Sequence, residues 1–495
     1  MISPINIDMA SLNLPTLAPM LSAIFGALVI LCIDLAKKDL HKSFYVMLTI
    51  LFLMIDLGAT LGYNGVSTRG FFDLMLLDGI SILSQVIIVV ASALFILLAL
   101  SQQRFHEYRY AEYFSLFLFM IAGFQFMVAT DSLILIFVGL ETASMALYVL
   151  IAMHNRDRST EAAIKYFTMG AMAAGMFAFA SMILYAITGS VELGQISQVL
   201  VSTNFDNYPM LLVAVVFMLA SMGFKLSLVP FHTWAPDVYM GSSAAMAGYI
   251  SIVPKIAMFV VALRFFAIFT SVDNQFVHMI LYIVVVITMT LPNIIALVQT
   301  DIKRMLAYSS VSHAGFAMGA ILVGTTQATE SLFIYWILFL FTNLGSFSML
   351  WINRTKNKHG FQSDHPFEKF SGLVKISPMT ATIFALFLLS LAGVPPFSLF
   401  WGKMFLLSAT VNAGYVVLAL IMALNSAIAA YYYLKLIVYM FLKEPTYDDR
   451  IEYMGNANNA LRTVVGLAAL ATITSVLYID PLLEMISTYV KMSGF

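Results

Sequence analysis

The chain has 495 residues, of which 61% are hydrophobic and only 10% are charged, whereas a soluble domain carries about 25% charged residues. This composition excludes a soluble globular protein and indicates a polytopic membrane protein. The formal net charge of -1 provides no global basic surface, so nucleic acid is not an expected partner. The single cysteine excludes both an internal disulfide and a cysteine-ligated cluster within the chain.

Apolar runs of roughly 17–25 residues, the length that spans a bilayer as a helix, recur along the whole chain. They predict an all-α polytopic membrane protein with about 14 transmembrane helices and short connections. The predicted helices fall near 17–35, 43–63, 78–100, 113–129, 132–152, 161–187, 210–230, 243–267, 276–297, 305–323, 330–352, 376–396, 414–442 and 460–479.

Basic residues are concentrated in alternate connections between these helices. They are Lys37, Lys38, Lys42, Arg104, Arg109, Arg156, Arg158, Lys303, Arg304, Arg354, Lys356, Lys358, Lys369 and Lys375. The intervening connections are poor in Lys and Arg and include the acids Glu192, Asp206 and Asp273. Because Lys and Arg favour the cytoplasmic side, we expect the basic connections in the cytoplasm and both termini in the periplasm.

Four charged residues interrupt the apolar helices, in chain order Glu141, Lys225, Lys255 and Lys403. A charge at the centre of a bilayer costs roughly 2.5–3.5 kcal/mol, so the four together cost on the order of 10 kcal/mol. Residues of this kind normally mark an ion or proton path. Structural alternatives stay open: a neutral Glu141 bonded to a neighbouring helix, a Lys403 amine that reaches the interface, or a structural role for Lys255, which lies too deep to reach the interface easily.

Prolines break two of the predicted helices beside these charges. Pro230 follows Lys225 in the seventh helix, and Pro395-Pro396 precedes Lys403 in the twelfth. An offset of five helices reverses the direction across the membrane, as in the inverted repeats of many transporters. We therefore predict inverted five-helix repeats, helices 4–8 and 9–13. The predicted division is 1–110 for helices 1–3, 111–268 for the first repeat, 269–442 for the second, and 443–495 for the remainder.

No recognisable motif for a nucleotide, a haem, a zinc ion or an iron–sulfur cluster occurs in the chain. The glycine-rich stretch Gly170 to Gly175 lies inside an apolar helix, where small residues usually serve close helix packing. The sequence thus predicts neither a cofactor nor a metal site in this chain. The buried acid Asp56 has no partner that the sequence identifies.

Four motifs carry a resemblance to a known family. They are FVGLETASMALYVL (137–150), GFKLSLVPFHTWAPDVYMG (223–241), QTDIKRMLAYSSVSHAGF (299–316) and GVPPFSLFWGKMFLL (393–407). The chain resembles the antiporter-like subunits of respiratory complex I, and among them most the subunit N family of bacterial NADH-quinone oxidoreductase. The resemblance implies a subunit of a proton-translocating enzyme of the bacterial inner membrane, driven by quinone reduction in partner subunits. It places FMN, iron–sulfur clusters and quinone in those partners, with other antiporter-like subunits and lipid as neighbours.

The resemblance also implies roles for individual residues. Glu141 matches the charged acid of the fifth helix, Lys225 its partner on the broken seventh, Lys255 the lysine of the eighth and Lys403 the ion of the broken twelfth. Secondary relay candidates are His232, His313, Lys165 and Lys435. The two histidines could instead bond neighbouring helices, and the two lysines could simply reach the membrane surface.

Two other functions fit the same residues. One is a subunit of a multisubunit sodium/proton antiporter, which needs no redox partner. The other is a scaffold whose buried charges are structural ion pairs. Protons are the favoured ion because Lys and His titrate, whereas sodium sites usually offer several oxygen ligands.

Overall fold

The computed structural model of the chain describes residues 12–38, 40–100, 106–203, 208–270, 275–357, 360–361, 365–445, 451–455 and 459–494. These residues form twenty α-helices connected by short turns. In chain order they are α1 Ala18–Ala36, α2 Lys42–Leu61, α3 Gly79–Leu97, α4 Ala111–Val128, α5 Leu133–Ala152, α6 Asp157–Thr188, α7 Leu193–Ser202, α8 Tyr208–Leu226, α9 Trp234–Gly241, α10 Ala244–Ile250, α11 Val253–Thr270, α12 Gln275–Leu297, α13 Ile302–Val323, α14 Thr326–Ile352, α15 Leu373–Ile376, α16 Pro378–Ala392, α17 Ser398–Asn412, α18 Val416–Leu442, α19 Asn459–Ile473 and α20 Ser475–Met492.

The predicted all-helical membrane fold is confirmed. Within the described residues, 12 helical spans are long and apolar enough to cross a membrane, and α10 with α11 counts as one of them. The predicted twelfth helix corresponds to α16, which is shorter, followed by α17 across the proline break. The predicted fourteenth corresponds to α19 and α20, which meet at an angle of 80°. Each of the fourteen predicted helices therefore has a counterpart.

Two predicted helices differ from the structure in their course. The eighth is not continuous, because residues 251–252 form a turn between α10 and α11. There the hydroxyl of Ser251 donates to the carbonyl of Gly248 at 2.5 Å, a side-chain bond that competes with regular helix. The fourteenth does not end near residue 479, since α20 continues to Met492 after the bend.

The short elements were not predicted, because a search for long apolar runs cannot detect them. Helix α7 has only ten residues, and it buries Leu193, Ile196 and Leu200. Strands β1 Thr68–Gly70 and β2 Met75–Leu77 form an antiparallel hairpin. Strand β3 Asn353–Asn357 pairs antiparallel with β4 Gly360–Phe361 and with β5 Ile451–Gly455, in the order β4-β3-β5.

Burial separates central from peripheral helices. In the span formed by α10 and α11, and in α13, 94% of the most apolar window is buried, against 39% in α2, α12 and α18. Large apolar side chains on the peripheral helices, such as Met47 and Leu420, remain exposed. Lipid is the solvent that suits these outer faces. The central helices α11 and α13 are therefore the ones farthest from lipid.

Some residues used to orient the chain lie outside the described residues. These are Arg104, Asp206, Asp273 and Lys358, together with both chain ends.

Candidate functional site

The break after α8 is stabilised by protein groups. Ser227 has φ +62°, and the amide of Leu228 donates to the carbonyl of Gly223 at 2.7 Å. The amide of Val229 donates to the hydroxyl of Thr288 on α12 at 3.0 Å. On the other side of the break, the indole of Trp234 donates to the carbonyl of Phe224 at 2.8 Å. Irregular backbone at membrane depth requires such partners, so the interruption of the helix is stabilised by specific hydrogen bonds.

Lys225 lies in the last turn of α8 and is 5% exposed. Its amine donates to the hydroxyl of Ser144 at 2.6 Å and to that of Tyr148 at 3.4 Å, both on α5. The rings of Tyr148, Tyr166 and Phe224 surround the amine at 5.5 Å, a distance at which an aromatic face attracts a cation. The amine is thus held by hydroxyls and rings.

Glu141 shares one face of α5 with both hydroxyls, because the residues are three and seven positions apart. Its carboxyl is half-buried, and the Oε1 atom has no hydrogen-bond partner among the described residues. Within that part of the chain no ion pair joins Glu141 to Lys225. Glu141 on α5 and Lys225 on α8 are therefore related by the proximity of their charges and not by a direct bond between their side chains.

Gly170 on α6 makes the position of Tyr148 possible. A Cβ atom at residue 170 would lie 1.9 Å from the tyrosine hydroxyl. By contrast, a Cβ at Gly175 would meet no atom within 4 Å. The close-packing role expected of the glycine-rich stretch therefore applies to Gly170, and it serves the lysine contact.

Lys255 lies in the first turn of α11 and is 1% exposed. Its amine donates to the carbonyl of Ser310 at 2.7 Å and to the hydroxyl of the same residue at 2.8 Å. Ser310 is on α13, and its hydroxyl is also 3.4 Å from that of Tyr239 on α9. Lys255 therefore links the first predicted repeat to the second.

His313 follows Ser310 by three residues on α13, so both side chains lie on one helix face. The Nδ1 atom is hydrogen-bonded to the hydroxyl of Tyr335 on α14. The Nε2 atom is 3.1 Å from the hydroxyl of Tyr433 on α18. His313 and Lys403 line the same small cavity, so the structure brings these two sequence candidates together.

Lys403 lies on α17 and is 6% exposed. Its amine donates to the carbonyls of Leu391 and Ala392, at 3.0 and 3.1 Å. These carbonyls end α16, where the helix dipole is negative and favours a cation. Gly393 follows with φ +86°. The second broken helix thus presents its carboxyl end to the lysine of the next half-helix.

The secondary candidates are distributed differently. His232 is buried in the α8–α9 break, and its Nδ1 atom has no partner among the described residues. The Lys165 side chain is 45% exposed and forms ion pairs with Glu161 at 2.6 Å and Asp237 at 3.0 Å. The amine of Lys435 lies 4.7 Å from the centre of the Phe367 ring. Neither Lys165 nor Lys435 contacts the three buried lysines through any bond between described residues.

The neutral partners of the charges were not predicted from the sequence, namely Ser144, Tyr148, Ser310, Tyr335 and Tyr433. For Ser144 and Tyr148 the signal was present, since they recur at helical spacing after Glu141. A buried ion pair between Arg264 and Asp78, at 2.8 Å, was not predicted either. The unassigned Asp56 accepts a hydrogen bond from Gln125 at 2.7 Å.

Comparison with known sequences identifies relatives over the full chain. The family described as NADH:quinone oxidoreductase/Mrp antiporter, TM, matches residues 130–429. NADH-quinone oxidoreductase subunit N of Sulfurimonas denitrificans is 61% identical over 502 residues, with 100% of both chains covered. Its counterpart in Campylobacter concisus is 50% identical, with 99% of both chains covered.

Solved structures show the same fold. A chain of respiratory complex I from Thermus thermophilus superposes with a TM-score of 0.80 at 26% identity, covering 95% of this chain and 100% of that one. A chain of the Mrp complex from Dietzia sp. gives a TM-score of 0.82 at 20% identity, with 97% of both chains covered. The fold alone therefore does not separate complex I from the Mrp complex. The identities of 61% and 50% to subunit N sequences favour complex I.

Proposed function

The chain belongs to the NADH-quinone oxidoreductase subunit N family, within the wider NADH:quinone oxidoreductase/Mrp antiporter membrane family, and from this premise we propose how its buried residues carry protons. It is a membrane subunit of NADH-quinone oxidoreductase, the respiratory complex I. We propose that Glu141, Lys225, Lys255 and Lys403 are its proton-transfer residues, with His313 connecting Lys255 to Lys403. The chain acts as a translocase with no redox centre of its own.

One observation carries this proposal: each buried lysine amine has two neutral oxygen acceptors. For Lys225 these are the hydroxyls of Ser144 and Tyr148. Lys255 and Lys403 each have two oxygens, at distances between 2.7 and 3.1 Å. An ammonium has three N–H donors, and the neutral amine keeps two. Each lysine can therefore give up a proton and retain both hydrogen bonds, as a relay requires.

Glu141 supplies the control at the first lysine. Burial in a low dielectric disfavours an ammonium, and a nearby carboxylate favours it. When Glu141 is ionised and close, Lys225 holds its proton; when that influence weakens, Lys225 releases it toward Lys255. The absence of a direct ion pair between these described residues suits this role, because a tight pair would fix the proton in place.

The centre of the second repeat contains groups that can pass a proton onward to Lys403. His313 is bonded to two tyrosine hydroxyls, and it lines a cavity with Lys403. Histidine exchanges protons readily near neutral pH. His232, in the first helix break, is a secondary candidate for the same kind of role. Lys165 and Lys435 are secondary candidates at the ends of the path.

We further propose the setting of the chain. The basic connections face the cytoplasm, both termini face the periplasm, and the bilayer is the bacterial inner membrane. Residues 1–110, 111–268, 269–442 and 443–495 form the N-terminal helices, two inverted repeats and the C-terminal part. FMN, iron–sulfur clusters and quinone belong to partner subunits, and adjacent antiporter-like subunits are the membrane neighbours.

The test is proton translocation by the assembled complex carrying Lys225→Met. Membrane vesicles are supplied with NADH, and proton uptake is measured together with quinone reduction. The proposal requires fewer protons per electron than in the wild type. Unchanged stoichiometry at normal assembly would overturn it. A cation/proton exchange activity that needs no NADH would favour the antiporter alternative.

A further inference from the structure

A second polar site lies where the basic connections meet at one end of the helix bundle. It is a cavity of about 210 Å³ between the two predicted repeats. The first repeat contributes the connection from α5 to α6 and the turn from α9 to α10. The second contributes Lys303 at the start of α13 and His365. None of the four proposed proton-transfer residues lines it.

Positive charge dominates the described lining. Arg156, Arg158 and Lys303 face the cavity, against the single carboxylate of Asp157. Arg156 is half-buried, and it forms no ion pair with a carboxylate in the described parts of the chain. Burial lowers the pKa of Arg156, and the charge of Glu107 opposes this only in part. A partly desolvated guanidinium without a paired anion is costly, so the site favours an added negative charge.

Two of these cations, Arg156 and Lys303, act electrostatically on one buried histidine. His154 is hydrogen-bonded to Glu107 at 2.9 Å. Burial lowers the pKa of His154, Glu107 raises it, and the charges of Arg156 and Lys303 lower it further. Because Arg156 and Lys303 both act on this ring, their positive charges are close enough to repel each other across the cavity. An anion between them would relieve that repulsion.

Lys303 is held in place before any ligand binds. Its amine donates to the carbonyl of Met240 at 3.2 Å and to that of Ser242. Met240 lies in the last turn of α9 and Ser242 follows the helix, and the lysine is 3% exposed. A fixed cation loses little conformational entropy on binding, which is the advantage of a preorganised site.

We propose that this cavity binds a phosphate group, either of an anionic lipid headgroup in the cytoplasmic leaflet or of a free phosphate compound. Basic pockets between helix ends on this side of a membrane suit such headgroups. Arginine and lysine are also the residues that recognise phosphate oxygens. Because the cations come from both repeats, the bound phosphate would join the two repeats near the α9–α10 turn, next to the Tyr239–Ser310 contact that leads to Lys255.

The test uses the assembled complex with Arg156→Gln and Arg158→Gln together. Lys375→Gln is the matched control, because Lys375 lies at the exposed surface and pairs with Glu444 at 2.6 Å. The delipidated complexes are incubated with mixed micelles of phosphatidylglycerol and phosphatidylcholine, and bound phosphatidylglycerol is counted by mass spectrometry. Inorganic phosphate is titrated separately, with thermal unfolding as the readout.

We expect the double variant to bind phosphate-bearing ligand roughly 30-fold more weakly, and the control to bind as the wild type does. The ligand is a lipid headgroup if the double variant loses the bound phosphatidylglycerol and inorganic phosphate does not displace it from the wild type. Stabilisation by inorganic phosphate in the wild type alone identifies a free phosphate compound. Equal binding of both probes by all three complexes would overturn the proposal. If the double variant does not assemble, Arg158→Gln alone is compared with the same control, since its side chain is exposed, and the expected loss is roughly 5-fold.

Discussion

Lys225 donates a hydrogen bond of 2.6 Å to Ser144, which lies one helical turn beyond Glu141 on α5. The lysine is thereby attached to the helix that carries the acid without being neutralised by it. Its charge remains sensitive to the carboxylate, and its hydrogen bonds do not depend on it.

Glu141→Gln should uncouple the first lysine from its controlling charge. We expect proton translocation per assembled complex to fall at least severalfold, because the neutral amide cannot favour the ammonium of Lys225. The measurement is NADH-driven proton uptake, normalised to flavin content. A scaffold role would instead lower the amount of assembled complex and leave uptake per complex unchanged.

Removing both hydroxyl acceptors, with Ser144→Ala and Tyr148→Phe, should slow translocation by about tenfold or more. Loss of hydrogen bonds to a charged buried group costs about 1.5–3 kcal/mol each, and Lys225 would then be free to turn to Glu141 for a direct pair. Thr472→Val is the control, since that buried hydroxyl donates only within its own helix, to Ala468 at 2.8 Å. Equal rates in the double variant and the control would contradict the assigned role of the hydroxyls.

Gly393→Ala should destabilise the assembled complex by about 1–2 kcal/mol, because alanine disfavours a positive φ. The new Cβ would also lie 3.0 Å from Cδ and 3.3 Å from Nζ of Lys403. The measurement is the thermal unfolding temperature. Gly175→Ala, in the interior of α6 with open space around it, should be neutral or stabilising. Identical temperatures for the two variants would argue against strain at Gly393.

The buried pair of Arg264 and Asp78 is assigned to stability, and its removal should separate from function. Arg264→Met leaves a carboxylate buried without its partner and should destabilise by about 3–5 kcal/mol. Combining it with Asp78→Asn should restore part of that loss. Assembly is measured by native gel electrophoresis, and protons per electron in the complex that does assemble should stay at the wild-type value. A lower ratio would place the pair in the relay.

The lowered pKa of His154 predicts that part of the stability is lost at acid pH. Burial lowers its pKa from 6.5 more than Glu107 raises it, so the unfolded chain binds the proton more tightly than the folded one. The contribution is therefore complete above pH 6.5 and is lost as the pH falls through the lower folded value. Unfolding temperatures measured between about pH 7.5 and about pH 5 should drop less steeply in His154→Gln. Parallel curves would rule out His154 as the responsible group.

The sequence was sufficient for the spans and the charges, and insufficient for what the charges touch. Runs of apolar residues determine helices because a bilayer admits few other structures, so α8 and its break were predicted close to their observed ends. The turn at residues 251–252 could not be predicted, since it depends on Ser251 and on Asn343 from α14. Likewise the acceptors of Lys403 are backbone carbonyls, which every residue has and no sequence pattern distinguishes.

The contact of Lys403 with the end of α16 has a mechanical consequence. The amine belongs to α17, while both acceptors belong to the preceding half-helix, so this side chain holds the two half-helices together across the break. A departing proton removes the charge that the carbonyl dipoles hold most firmly. If Lys403 carries protons as proposed, each proton that passes through it would weaken and then restore this contact between α16 and α17. The protonation state of one amine would thus set how firmly the two halves of the interrupted helix are held together.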